Sequence, residues 1–547
     1  LQHIYAGEEV VTRMSDSQSS KLTSYDEVPY ESHPYPQSHP DRLATIASLF
    51  GIAPARLEDC RVLELGCSTG GNILPIAEQF PASTCVGIDA SSRQIADGQR
   101  LAESLGLRNL RLLHKSILDI DADFGQFDYI LCHGVFSWVP DDVQEKILQI
   151  CSQNLAPNGV AYISYNTYPG WRLRGMIRDV MTYRASFFEK PEERLSEAQA
   201  LLDFLTDSVP TKDNAYGILL RDELKIIRGH SKSYLYHEHL EEVNEPQYFF
   251  EFMKRAEPHG LQYLGEAEFS TMWANNFPPK VEATLKRLSS DLIQTEQYMD
   301  FVRNRMFRQT LLCHKEMRLD REIQPDRVAQ LFVASSAQPE NPKADIHSRA
   351  PLTFHRPGST LTTHEPVVKA AMLHLRAIWP ARVRLDELLV AARNRLDSGL
   401  VAVNRARAEQ ELRELGRTII RCYATSQVDL HFHPSFASTM PGDAPAACPS
   451  ARRNAADRDR VTNLWHESVQ LSDLERLLLR RLDGGHSRDA LAELLGREVA
   501  EGRLLIQEGG REVTDPPRVQ AAVRQILSDN LAALGRKGLL TTVSPAR

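Results

Sequence analysis

The sequence predicts an α/β protein: a parallel, doubly wound sheet in the first third of the chain, followed by helical and small α/β domains toward the C-terminus. Three observations lead there. Between residues 61 and 166 short β-rich apolar runs alternate with helical segments, the pattern that a parallel sheet with crossover helices requires. A turn rich in glycine, Gly66-Cys67-Ser68-Thr69-Gly70-Gly71-Asn72, joins the first strand to the first of these helices. A chain of 547 residues is too long for one hydrophobic core, so three or four units of about 100–200 residues are expected.

Taken in order, strands are expected at 61–66, 84–89, 110–114, 127–134 and 159–166, and helices at 71–78, 91–105 and 141–155. Right-handed crossovers between such strands place the binding crevice at their carboxyl ends. After Trp171 the chain turns helical and charged to about Arg228, so 186–230 reads as an insertion, lid or dimerisation segment. A helix at 245–257 and a strand at 260–269 then return it to the sheet near 233–275. Pro339, Pro342, Pro351, Pro357 and Gly358 mark 336–365 as a linker, and Pro441, Gly442, Pro445 and Pro449 mark 436–458 as another. They leave a middle domain at 366–435 and a winged-helix-like domain at 459–547, and the C-terminal half is expected to fold separately.

Composition narrows the function. A net charge of −8 and a pI near 6.2 give no broad basic face for nucleic acid. No run of about 18 apolar residues and no secretory leader pattern is visible, so neither stable membrane insertion nor secretion is expected, and the location read is cytoplasmic. The eight cysteines, scattered singly at 60, 67, 85, 132, 151, 313, 422 and 448, read as reduced and mostly buried thiols. His237-Glu238-His239 and His431-Phe432-His433 offer two metal ligands each without a third nearby, and no metal site is expected. Residues from Met14 on read as a polar N-terminus, with 1–22 disordered.

The chemistry concentrates at the first turn. Glycines there let the backbone lie against a nucleoside-sized ligand, and Asp89, about 20 residues on at the end of the next strand, suits ribose hydroxyls. A nicotinamide enzyme would favour G-x-G-x-x-G over a pyrophosphate. Here Glu64, Gly66 and Gly70 form E-x-G-x-x-x-G, which resembles motif I of the class I methyltransferases. That resemblance implies a Rossmann-like core at 23–185, completed at 231–335, with S-adenosyl-L-methionine as cofactor and S-adenosyl-L-homocysteine as product. It puts Ser116-Ile117 beside the adenine and Cys132-His133-Gly134 where methyl donor and acceptor meet.

Further segments are more specific: 25–32, 133–140, 165–171, 236–248, and Leu464-Trp465-His466-Glu467 with Leu482-Asp483-Gly484-Gly485. They resemble the bacterial methyltransferases with a methyltransferase regulatory domain, a group that includes rickettsial-type outer-membrane-protein lysine methyltransferases. The resemblance implies a protein substrate and a homodimer. Its motifs map cofactor contacts to Tyr30, Glu64, Gly66, Cys67, Ser68, Gly70, Asn72, Asp89, Ala90, Ser116, Ile117 and His133, and catalytic roles to His133, Trp138, Asn166, Tyr168 and Trp171. Strand order alone brings Tyr30, Trp138, Tyr165, Tyr168 and Trp171 to the mouth of the crevice, where aromatics can surround a cation or simply cap the sheet. Three readings stay open: a protein-lysine N-methyltransferase, which the long non-catalytic region favours; a small-molecule O- or N-methyltransferase; and a cofactor-binding protein without turnover. The absence of N/D-P-P-Y after strand four speaks against a nucleic-acid base as acceptor.

Overall fold

A computed structural model describes residues 27–28, 31–396, 405–438, 442–508 and 511–542. The expected 1–22 terminus and Tyr30 therefore lie outside the described residues. Seven strands form the central sheet: β1 Arg61–Leu65, β2 Thr84–Asp89, β3 Leu110–His114, β4 Phe127–Cys132, β5 Leu155–Asn166, β6 Leu261–Glu266 and β7 Phe307–His314. Their order is β3-β2-β1-β4-β5-β7-β6, with β7 antiparallel to both neighbours. The β2 and β3 bounds are those the sequence predicts, because continuous apolar runs end there at turn residues. β5 begins four residues earlier than expected, since a register shift against β4 absorbs Asn158-Gly159. The sheet is not complete near 275 as expected but only at β7, since two further helices, Pro279–Leu288 and Leu292–Arg303, intervene after β6. Buried Arg308 holds that late strand, bonding Glu266 at 2.7 Å, Asp300 at 2.8 Å and Glu296 at 3.0 Å.

Alternation along the strands sends side chains to two cores. Leu63, Leu65, Ile130 and Ile163 meet the helices Asp141–Gln153 and Phe249–Ala256 on one face. Val62, Tyr129, Leu131 and Tyr162 point to the other, into a cluster with Leu43 and Ile46 of the helix Pro40–Leu49. That cluster continues without a break through Val328, Val333, Met372, Leu388, Ile419 and Tyr423.

The expectation of a separately folding C-terminal half is therefore wrong for the middle region, which shares the core of the sheet. Nor is 336–365 a linker: Gln338–Pro339, Leu352–Arg356 and Ser359–Thr363 form a three-stranded antiparallel sheet. Pro357-Gly358 is its tight hairpin turn, with Gly358 at φ +78°, so the turn residues mark a fold rather than a break. Likewise 436–458 includes the helix Pro449–Asp457, whose Ala451 and Ala455 enter the C-terminal core beside Leu478 and Leu531. Proline at a first helical position starts a helix as readily as it ends one. The helices Trp171–Ala185, Pro191–Ser208, Ala215–Arg228 and Lys232–Leu240 pack on one another through Ile177, Leu202, Leu224 and Leu235, so the cap is wider than 186–230. No described helix is long and apolar enough to cross a membrane, and all eight cysteines are free and buried.

Candidate functional site

The carboxyl ends of β1, β2, β4 and β5 open on a cavity of about 550 Å³ roofed by the helical cap. β1 ends in Gly66 at φ +73°, where a Cβ would stand 2.5 Å from Val135 Cγ2, so the loops after β1 and β4 can cross only over glycine. Ser68 is also left-handed, at φ 52°. Its amide donates to Asp89 Oδ2 at 2.8 Å, and the Ser91 amide donates to Oδ1 at 2.8 Å, so one carboxylate ties the ends of two strands together.

Asn72, at the start of the helix Ile73–Gln79, is a second knot. Its Nδ2 donates to Glu64 Oε1 at 2.7 Å, while its Oδ1 accepts from the Tyr35 amide at 2.9 Å and from His466 Nε2 at 2.7 Å. Burial pushes the Glu64 carboxyl up to about 8. Glu64 Oε2, Ser68 Oγ and Asn166 Nδ2, all on cavity-lining residues, are buried without a hydrogen-bond partner among the described residues.

His133 follows β4. Its ring stacks on Tyr35 at 3.6 Å and its Nδ1 lies 2.7 Å from the Tyr162 hydroxyl. Burial pulls its pKa down to about 3, which keeps the imidazole neutral. Asn166 ends β5, its backbone amide donating to the Ser137 hydroxyl at 2.9 Å. Trp138 and Trp171 meet edge to face at 6.2 Å. One turn along the Trp171 helix, Arg174 pairs with Glu223 at 3.1 Å and Glu238 at 3.0 Å, closing the roof.

Of the residues expected from the sequence, Glu64, Gly66, Cys67, Ser68, Asn72, Asp89, Ala90, Ser116, Ile117, His133, Trp138, Asn166 and Trp171 line this cavity. Gly70 does not; it turns the loop at φ +81° against Leu112 behind the wall. Tyr168 is a correction too: its ring packs on Tyr248 at 5.3 Å with the Arg172 guanidinium 3.9 Å above it, away from the cavity. Tyr165 lies in the core, stacked on Phe252 at 4.3 Å. The chain ahead of the helix Pro40–Leu49 straps the edge of the cavity: Ser32 lines it, with its hydroxyl accepting from the Gly71 amide at 2.8 Å, while 25–26 and 29–30 lie outside the described residues.

Sequence reasoning missed Tyr35, Gln94, Arg174, Tyr234, Glu238, Met306 and Phe307 as lining residues, and gave His237 no site role. His237 donates to the Val28 carbonyl at 2.6 Å and faces Glu241 at 3.1 Å, tying the strap to the cap. Of the other histidine pair, His431 faces Asp41 at 2.7 Å. No group of three metal-ligand side chains occurs among the described residues.

Comparison with known proteins agrees with this geometry. Residues 62–159 match a methyltransferase domain, 231–314 a predicted methyltransferase regulatory domain, and 443–539 the C-terminal winged helix domain of PKMT. An uncharacterised protein of Rickettsia prowazekii is 35% identical over 94% of this chain and 93% of its own length. A second, shorter protein of that organism is 42% identical over 44% of this chain and 96% of its own. Among solved structures, PKMT2 from Rickettsia typhi in complex with AdoHcy superposes with a TM-score of 0.83 at 31% identity, covering 94% of this chain and all of that one.

Proposed function

The chain belongs to the methyltransferase family that includes Rickettsia typhi PKMT2, and from that premise we propose that it methylates lysine side chains of a protein substrate. It is an S-adenosylmethionine-dependent methyltransferase. When bound, S-adenosylmethionine supplies a methyl group on a sulfonium, open to in-line attack by an uncharged amine. The residues of the cavity fit this cofactor. Asp89, aimed by the Ser68 and Ser91 amides, would accept from ribose hydroxyls. Ser116 and Ile117 would flank the base, and the backbone at 66–68 the amino-acid end.

The observation that carries the reading is the set of partnerless buried atoms on this wall. An unsatisfied buried polar atom costs about 1–3 kcal/mol, which a ligand carrying the complementary groups offsets. Glu64 Oε2 supplies the acceptor that an α-ammonium needs. On the acceptor side, Trp138, Trp171 and Phe307 make an apolar vestibule that favours the neutral form of an entering amine. Asn166 orients it, and neutral His133 adds no positive charge beside a cationic ligand. The roof carries two carboxylates, Glu223 and Glu238, against one Arg174, which suits an approaching lysine.

The outer face of the cap exposes Tyr183, Phe187 and Phe204, each more than 60%, and we assign it to a homodimer contact. Eight free cysteines support a reducing compartment, the cytoplasm. The test is incubation with radiolabelled cofactor and either the protein fraction or the small-molecule filtrate of a lysate. Label in protein, mapped to lysine by mass spectrometry, is expected; label in the filtrate alone returns the small-molecule reading.

A further inference from the structure

The winged-helix unit touches the cofactor wall. His466 lies at the tip of its hairpin, between strands Arg460–Thr462 and Ser468–Gln470, and reaches Asn72 almost four hundred residues away along the chain. The tip is built to present it. His466 is 1% exposed and left-handed at φ 63°, a conformation that costs a non-glycine residue about 1 kcal/mol or more unless its surroundings enforce it. Asn463 enforces it, its carbonyl accepting the His466 amide at 3.1 Å and its Oδ1 the amides of Trp465 and Glu467 at 3.0 and 2.8 Å. The same unit holds the far end of the Ile73–Gln79 helix, where the Ser450 amide donates to Glu78 at 2.8 Å.

The donors fix which way the Asn72 amide points. A backbone amide can only donate, so the Tyr35 N–H requires oxygen at Asn72 Oδ1. His466 Nε2 must then carry a proton and donate to the same oxygen, which leaves Asn72 Nδ2 facing Glu64. Turned over, the amide would set its nitrogen against the Tyr35 N–H, donor facing donor. The Glu64 orientation thus depends on groups from outside the sheet: the Tyr35 amide on the N-terminal strap and His466 on the C-terminal hairpin, with the Ser38 hydroxyl beside both ends of the Asn72 amide at 3.1 and 3.2 Å.

We propose that His466 is a positioning residue for methyl-donor binding: through the Asn72 amide it holds Glu64 in the arrangement that receives the amino-acid end of the cofactor. The proposal rests on the cofactor placement given above. It makes the C-terminal unit part of the donor site, and by linkage bound cofactor tightens the seating of the hairpin.

The experiment is calorimetric titration of S-adenosylhomocysteine into the full chain, with melting curves alongside, for wild type, His466→Ala, His466→Gln, Ser450→Ala and Asp89→Ala. His466→Ala should weaken binding roughly tenfold, the loss of one buried hydrogen bond. His466→Gln, whose amide can donate to the same oxygen, should recover most of that loss. Ser450→Ala removes a second cross-domain side-chain bond, from the Ser450 hydroxyl to Glu78, while keeping the amide bond, and should leave affinity unchanged. If His466→Ala does not fold, His466→Met against His466→Gln makes the same comparison. Full affinity in the Ala or Met variant, no recovery by Gln, or an equal loss in Ser450→Ala overturns the proposal. Unchanged affinity in Asp89→Ala overturns the cofactor placement and this proposal with it, whereas a loss in Asp89→Ala with none at His466 overturns this proposal alone.

Discussion

The sheet side of the cavity, residues 66–72 with Asp89, is knitted by backbone amides and short side chains at the ends of adjacent strands. The cap side is held differently, by Arg174 between Glu223 and Glu238 and by His237 between Val28 and Glu241. Its partners come from separate helices and from the strap. The first wall rests on the strands beneath it; the second rests on the cap's own small core and on ion pairs between its helices. Changes on the sheet side should therefore strike cofactor affinity, and changes on the cap side folding and turnover.

The hardest blow to this contrast is Arg174→Ala. It leaves two largely buried carboxylates uncompensated, and stability measured by urea unfolding should fall by about 3–5 kcal/mol; an unchanged midpoint would mean that the cap is held elsewhere. Next, Asp89→Ala should cost about 2–3 kcal/mol of S-adenosylhomocysteine affinity by calorimetry, at the high end because two amides also lose their acceptor. Cap stability should not respond. Trp171→Phe should slow turnover on a protein substrate about tenfold, roughly 1.4 kcal/mol, with cofactor affinity within about twofold; a parallel loss of affinity would merge the two walls.

The smallest effect is in pH. His133 on the sheet side and His239 on the cap side are both pulled by burial from 6.5 to about 3. Below pH 6.5 the unfolded chain takes up protons that the folded imidazoles refuse, so their contribution is complete above 6.5 and declines toward 3. Each should cost roughly 1 kcal/mol by pH 5.5. Glu64, raised from 4.5 to about 8, has the opposite sign: what it adds is full below 4.5 and lost as pH rises through 8. Between pH 7 and 5.5 the His239→Gln variant should lose about 1 kcal/mol less than wild type in denaturant titrations, and parallel curves would remove His239 from the account.

The sheet side was legible in the sequence because its residues are local: strand, turn and helix sit within a dozen positions around Glu64 and Gly66, and Asp89 ends the next strand. The cap side was not, since Arg174, Glu223 and Glu238 lie on three helices whose facing follows only from their packing. Tyr168 misled because strand order places a backbone, not a ring. The middle region was misjudged because prolines at hairpin turns and helix starts look like a linker in one dimension. A chain cut near Gln338 would strip Phe332–Ala334 of its two antiparallel neighbours and uncover Leu43 and Ile46. His466 stood out only as part of the family-like run Leu464–Glu467, with nothing local to tie it to the cofactor wall.

The position of β7 bears on how the chain is made. It lies between β5 and β6, yet it emerges from the ribosome about 140 residues after β5, a delay of roughly 7–30 s at ordinary elongation rates. Throughout that interval the twelve-residue β5 presents an open, apolar edge, the kind of surface on which nascent chains pair wrongly with one another. The cap helices, which follow β5 directly and have a core of their own, are complete well before β7 appears. Vectorial synthesis thus gives this enzyme a finished roof over an unfinished sheet while residues 166 to 307 are made.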